Sequence, residues 1–128
     1  MKTPVWVERE TVLTLHEQLV AEFGGDGGIR DEGLLDSALK KPEQLLNYGK
    51  PAIFDLAASY AFGIVKNHPF IDGNKRAGFV VAVVFLELNG HHFQASEADA
   101  AVKTLALAAG EMSEKEFAAW LRGNCRGR

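Results

Sequence analysis

Cysteine, proline, surplus positive charge and long hydrophobic runs are all scarce in this chain, and each shortage excludes something. The single cysteine, Cys125, has no partner for an internal disulfide, which fits a reducing compartment rather than a disulfide-stapled secreted domain. Only four prolines interrupt 128 residues, so most of the chain is free to form regular structure. Fourteen Lys and Arg stand against seventeen Asp and Glu, a formal charge of −3. There is no basic excess of the kind that grips nucleic acid by releasing counterions. The longest apolar run, Phe79 to Leu86, falls well short of the roughly 18 residues that a membrane span needs. At the start of the chain, Glu8, Arg9 and Glu10 cut off any signal-peptide apolar stretch. No repeat or low-complexity tract is present. The expectation is one cytoplasmic domain over residues 1–128, large enough to bury roughly two-thirds of its unfolded surface.

What is present is hydrophobic content of 47%, arranged at helical spacing. Val12, Leu15, Leu19, Val20 and Phe23 recur with a helical period, and Gly24-Gly25 stops them. Asp31 caps a second helix through Leu39, and Pro42 closes it. Residues 42–52 have no clear period and read as an irregular excursion. Ile53 to Val65 form a third helix. Lys75 to Leu88 are apolar nearly all round, as a central buried helix would be; the β-branched content suggests a strand, but the length favours a helix. Asn89-Gly90 ends it. His91 to Gln94 can form a short extended piece. Ser96 with Asp99 opens a fifth helix ending at Gly110, and Ser113 with Glu116 is a capping box for a sixth. The fold class is therefore all-α, a six-helix domain around a central buried helix.

Chemistry concentrates in His68-Pro69-Phe70-Ile71-Asp72-Gly73-Asn74-Lys75-Arg76, immediately before the most apolar helix. A helix start carries unpaired N–H groups and partial positive charge. A glycine there lets a ligand approach the backbone, and an anion such as a phosphate fits. Lys75 and Arg76 oppose the helix dipole, so a bound anion explains them. Asp72 is one carboxylate, too few for a protein cage, but enough for Mg²⁺ that keeps water and phosphate oxygens as its other ligands. His68 can act as a general base near neutral pH, and Phe70 would pin the loop to the core. Singly, each residue has an ordinary reading as structural histidine, turn or solvated surface. Their joint occurrence within nine residues points to phosphoryl or nucleotidyl transfer.

These residues resemble the pattern of the Fic/Doc family, H-x-F-x-[DEN]-[AG]-N-[GK]-R, with His68, Phe70, Asp72, Gly73, Asn74 and Arg76 at its positions. Gly27 to Pro42, GGIRDEGLLDSALKKP, resembles a stretch of the short death-on-curing branch. The resemblance implies that His68 deprotonates a target hydroxyl and that Asp72 holds Mg²⁺. Gly73 and Asn74 would form an anion hole, Arg76 would neutralise a nucleotide phosphate, and residues 42–52 would be a flap docking the target. Lys75, where most Fic enzymes have Gly, and Phe79, where many have a second Arg, resemble the death-on-curing branch. There the enzyme is an ATP-dependent kinase of a threonine in translation elongation factor Tu. The alternatives are AMP transfer of the Fic type and an inactive nucleotide- or partner-binding module. The resemblance further implies a toxin controlled by a Phd-like antitoxin whose C-terminal segment folds on it. A self-inhibitory motif, [S/T]-x-x-x-E-[G/N], would end at Glu32-Gly33, but Gly28 occupies its first position.

Other residues carry more ordinary expectations. His16 reads as a boundary histidine with a hydrogen bond. His91-His92 read as turn or strand residues, Arg30-Asp31 as a local ion pair and cap, and Trp6 and Trp120 as packing. Tyr48 could touch a target from the flap, and Lys66 and Asn67 could frame the site.

Overall fold

Side-chain caps at the N-cap residue set three of the six helix starts in the computed structural model, which describes residues 3–127; Met1, Lys2 and Arg128, the ends of the expected 1–128 domain, lie outside them. The chain runs α1 (Arg9–Phe23), α2 (Glu32–Tyr48), α3 (Ile53–Asn67), α4 (Asn74–Leu88), β1 (His91–Phe93), α5 (Glu97–Ala109), α6 (Glu114–Gly123) and β2 (Cys125–Gly127). Asp31 Oδ1 accepts the Leu34 N–H at 2.9 Å, and Ser96 Oγ accepts the Asp99 N–H at 3.0 Å. Ser113 and Glu116 exchange both bonds of a capping box, at 3.0 and 2.8 Å. Gly110 ends α5 in the left-handed conformation, φ 79°. The fold is all-helical apart from two three-residue strands.

α3 and α4 form the centre. Every residue of α3 from Leu56 to Val65 except Phe62 is buried, and α2, α4 and α6 pack around it. α4 buries Ala77, Gly78, Val81, Ala82, Phe85 and Leu86, while Phe79 packs edge-on to Phe93 and tilted against Trp120. The two central helices approach closely at Gly78, where a Cβ would stand 2.9 Å from Val65 Cγ2 and 3.1 Å from the Ala61 carbonyl oxygen. Trp6 stacks on Phe85 and the Val7 N–H donates to the Tyr60 hydroxyl at 3.1 Å, which ties the segment before α1 to the core.

Two sequence expectations are corrected. Pro42 does not close α2; the helix runs through it to Tyr48, so only residues 49–52 lie between α2 and α3. Proline in a helix interior removes one hydrogen bond and costs about 3 kcal/mol. Here Pro42 is buried in line with Leu35 and Ala38, and Leu45 and Leu46 pack on the same core, so tertiary burial outweighs propensity. Residues 42–52 are accordingly not an irregular excursion over most of their length, and Tyr48, 89% exposed, stands at the end of a helix. The short extended piece at His91 is present as β1. Its partner is β2, with His91 opposite Gly127 and Phe93 opposite Cys125.

Candidate active site

The nine-residue cluster spans the six-residue connection between α3 and α4, residues 68–73, and the start of α4. His68 caps α3 with φ 53° and ψ 53° and is the only non-glycine residue with positive φ among the described residues. A left-handed conformation costs a non-glycine residue about 1 kcal/mol, so its surroundings must hold it there. Phe70 is fully buried, as the anchor was expected to be. Asn74 clamps it: the Phe70 N–H donates to Asn74 Oδ1 at 2.9 Å, and Asn74 Nδ2 donates to the Phe70 carbonyl at 3.0 Å. The Asn74 side chain is thereby occupied, and what it leaves for a ligand is its main-chain N–H. Gly73 takes φ 78° as N-cap of α4, and Ala77 makes the first bond of the helix, to the Gly73 carbonyl at 2.9 Å. The N–H groups of Asn74, Lys75 and Arg76 have no backbone acceptor among the described residues.

A second segment templates this connection. The Arg30 and Asp31 N–H groups both donate to the Pro69 carbonyl, at 2.6 and 3.1 Å, and the Ile71 N–H donates to the Gly28 carbonyl at 3.1 Å. Ile29 and Phe70 form an antiparallel bridge. The Arg30 side chain donates from Nε to the His68 carbonyl at 2.7 Å and from Nη2 to the Asn67 carbonyl at 3.0 Å. The expected Arg30–Asp31 ion pair is therefore not formed: Asp31 caps α2, and Arg30 reaches the end of α3. Asn67 itself donates to the Leu34 carbonyl at 3.0 Å, and Lys66 Nζ to the Ala108 carbonyl at 3.1 Å; neither residue lines the cavity beside His68.

Asp72 is held from two sides. The Asp26 N–H donates to Asp72 Oδ2 at 2.8 Å. Gly25, φ 106°, lies so close that a Cβ there would stand 3.1 Å from Asp72 Cβ. His16, 2% exposed, sits 2.7 Å from the Asp72 carbonyl through Nε2; a carbonyl only accepts, so Nε2 carries the hydrogen. Its ring stacks on Phe70 at 3.8 Å, nearly parallel. His16 is hydrogen-bonded as expected, but inside the fold and beneath the loop.

His68, Asp72, Gly73, Asn74, Lys75 and Arg76 line one cavity of about 600 Å³. Its opposite wall is apolar: Val65 from α3, and Leu105, Ala108 and Ala109 from α5. The Arg76 guanidinium lies over the Phe23 ring at 4.1 Å, a cation–π arrangement that orients it at the rim. Three free N–H groups, two cations and one carboxylate at a helix start suit a polyphosphate. For Mg²⁺, no group of three His, Cys, Asp or Glu is gathered among the described residues. Asp72, the one carboxylate in the cavity, has Oδ2 bonded to the Asp26 N–H, while Oδ1 makes no hydrogen bond among the described residues. That donor set fits a hard cation taking its remaining ligands from phosphate and water.

Sequence reasoning missed the templating segment. GGDGG reads as a loop, and nothing local says that Asp26 and Arg30 reach residues 67–72. The glycines, which allow close backbone approach, were the available signal. His91 packs edge-on to Phe54 and His92 pairs with Glu87, both away from the cavity. Trp6 and Trp120 pack as expected, and Trp120 Nε1 also donates to Asp99 at 2.8 Å.

Residues 6–86 match the family model described as Fic/DOC family. A protein called Toxin Doc from Mycolicibacterium smegmatis is 39% identical over 88 residues, which cover 66% of this chain and 65% of that protein. The family match contains every polar residue of the cavity and ends within α4, so the α5 wall lies beyond it.

Proposed function

Because the chain belongs to the Fic/DOC family, we propose that it is the toxin of a toxin–antitoxin system and transfers the γ-phosphoryl group of ATP to a protein hydroxyl. The observation that carries this reading is the convergence of the His68, Asp72, Lys75 and Arg76 side chains and three free N–H groups on one cavity at the start of α4. In the reaction, His68 takes the proton of the target hydroxyl. The hydroxyl oxygen forms a bond to the γ-phosphorus, the bond from phosphorus to the β–γ bridging oxygen breaks, and ADP leaves. The N–H groups of residues 74–76 and the Lys75 and Arg76 side chains neutralise the phosphates. Asp72 would hold Mg²⁺, which when bound offsets charge on the phosphate oxygens.

Two features favour γ-phosphoryl over AMP transfer. Lys75 adds bulk and charge at the anion hole, and Phe79 turns into the aromatic cluster with Phe93 and Trp120, so that turn of α4 supplies the cavity with no second arginine. The target is a threonine of translation elongation factor Tu, and the blocked process is translation. Control comes from a Phd-like antitoxin whose C-terminal segment folds on this chain. The relative named Toxin Doc supports that pairing. No helix of the described residues is long and apolar enough to cross a membrane, in keeping with action in the cytoplasm.

Incubation with the elongation factor and ATP labelled at either the γ or the α position tests the reaction. Label transferred from the γ position alone is expected, and replacing His68 by Ala should abolish it. Transfer from the α position alone would replace this reading with adenylylation; no transfer from either, with toxicity unchanged in His68→Ala, would replace it with the binding module.

A further inference from the structure

The connection that carries His68 has an unusual support. Three consecutive carbonyls, those of Asn67, His68 and Pro69, all accept hydrogen bonds from the segment at residues 30–31. Two of them are taken by one side chain, in the forked geometry that only a guanidinium supplies. Carbonyls at a helix C-terminus are unpaired and carry partial negative charge, so a fixed cation is electrostatically suited to that place. The residue between the two forked bonds is the one described non-glycine residue in the left-handed region. Its conformation determines where the imidazole leaves the backbone.

We infer that Arg30 is a positioning residue for His68: its guanidinium holds the 67–68 backbone in the left-handed turn that aims the imidazole into the cavity. This rests on the reading of His68 as the base, but the structural half of the inference does not need it. Arg30 does not line the cavity, so it acts through His68 and not on the nucleotide. A flexible Lys keeps the charge and loses the fork. Without the fork, the strained turn relaxes towards ordinary backbone, and the imidazole shifts against a phosphate site that α4 holds in place. A misplacement on the order of 1 Å from the reacting geometry costs roughly 100-fold in rate.

The test compares the full chain with Arg30→Ala, Arg30→Gln and Arg30→Lys. Backbone chemical shifts and the one-bond Cα–Hα coupling of His68 report its conformation without any substrate. ATP affinity and the transfer rate are measured on the same samples, and free guanidinium is added to Arg30→Ala. The expected result is a changed His68 coupling in all three variants. Transfer should fall roughly 100-fold in Arg30→Ala with ATP affinity within about threefold of the parent, less in Arg30→Lys, and partly recover with guanidinium. An unchanged His68 coupling in folded Arg30→Lys or Arg30→Gln overturns the inference, whatever the reaction proves to be. So does a loss of transfer matched by an equal loss of ATP affinity. If the parent chain transfers nothing from ATP, the proposed function fails, while the coupling still decides the role of Arg30.

Discussion

Asn74 shows how one side chain can serve a site without touching a ligand. Phe70 is fully buried, and both of its main-chain polar groups bond only to Asn74. Removing the carboxamide leaves a buried donor and a buried acceptor unsatisfied, each costing about 1–3 kcal/mol. Asn74→Ala is expected to lose about 2–4 kcal/mol in urea unfolding, and Asn74→Asp less, because an acceptor for the Phe70 N–H survives. A loss below about 1 kcal/mol in Asn74→Ala would show that water replaces the carboxamide. The Asn74 position was legible as part of the cluster, but the direction of its side chain was not. A sequence motif says which groups are near a site; only packing says which of them face it.

At the scale of elements, the connection that carries His68 and Asp72 depends on two helices that nearly touch. Gly78 places α4 against α3, where an added Cβ meets Val65 Cγ2 at 2.9 Å and the Ala61 carbonyl at 3.1 Å. Gly78→Ala gains about 1 kcal/mol of helix propensity but forces strain worth about 1–3 kcal/mol, and a backbone oxygen is the harder of the two contacts to move. Net destabilisation is expected in chemical unfolding, with partial recovery in Gly78→Ala combined with Val65→Ala. A more stable single variant would mean that the helices separate freely. The helix α4 itself, the caps at Asp31, Ser96 and Ser113, and the stop at Gly110 were legible, because each is written in residues a few positions apart. The continuation of α2 through Pro42 was not: the local cost is visible in sequence, and the burial of Leu35, Ala38 and Pro42 that offsets it is not.

Across the whole molecule, the segment before α1 is closed onto the core through Tyr60. Burial pushes the Tyr60 hydroxyl up to about 12, with the Val7 N–H acting in the opposite direction and Glu43 adding to the rise. The unfolded chain releases that proton near pH 10. Its contribution to stability is therefore complete below pH 10 and is lost as the pH climbs towards 12. Tyr60→Phe is expected to be less stable by about 1 kcal/mol at pH 7, through the orphaned Val7 N–H, and to lose less stability between pH 10 and 12. Parallel stability curves for the two proteins would contradict this. At the acid end the sign reverses. The Trp120 indole N–H and then Lys103 hold Asp99 below its ordinary value, and the Ser113 N–H does the same for Glu116. Their support is present above the unfolded carboxylate values and fades as the pH falls through the lowered ones.

The sequence by itself determined the helical class, the helix caps and the nine-residue cluster, since caps, periodicity and short motifs are local in the chain. Tertiary structure alone decided that α2 passes through Pro42 and that β2 pairs with β1. It also decided that residues 25–31 grip residues 67–72, and that α5 supplies the apolar wall of the cavity. Each of these joins segments far apart in sequence, where burial and backbone pairing, rather than neighbouring residues, set the outcome.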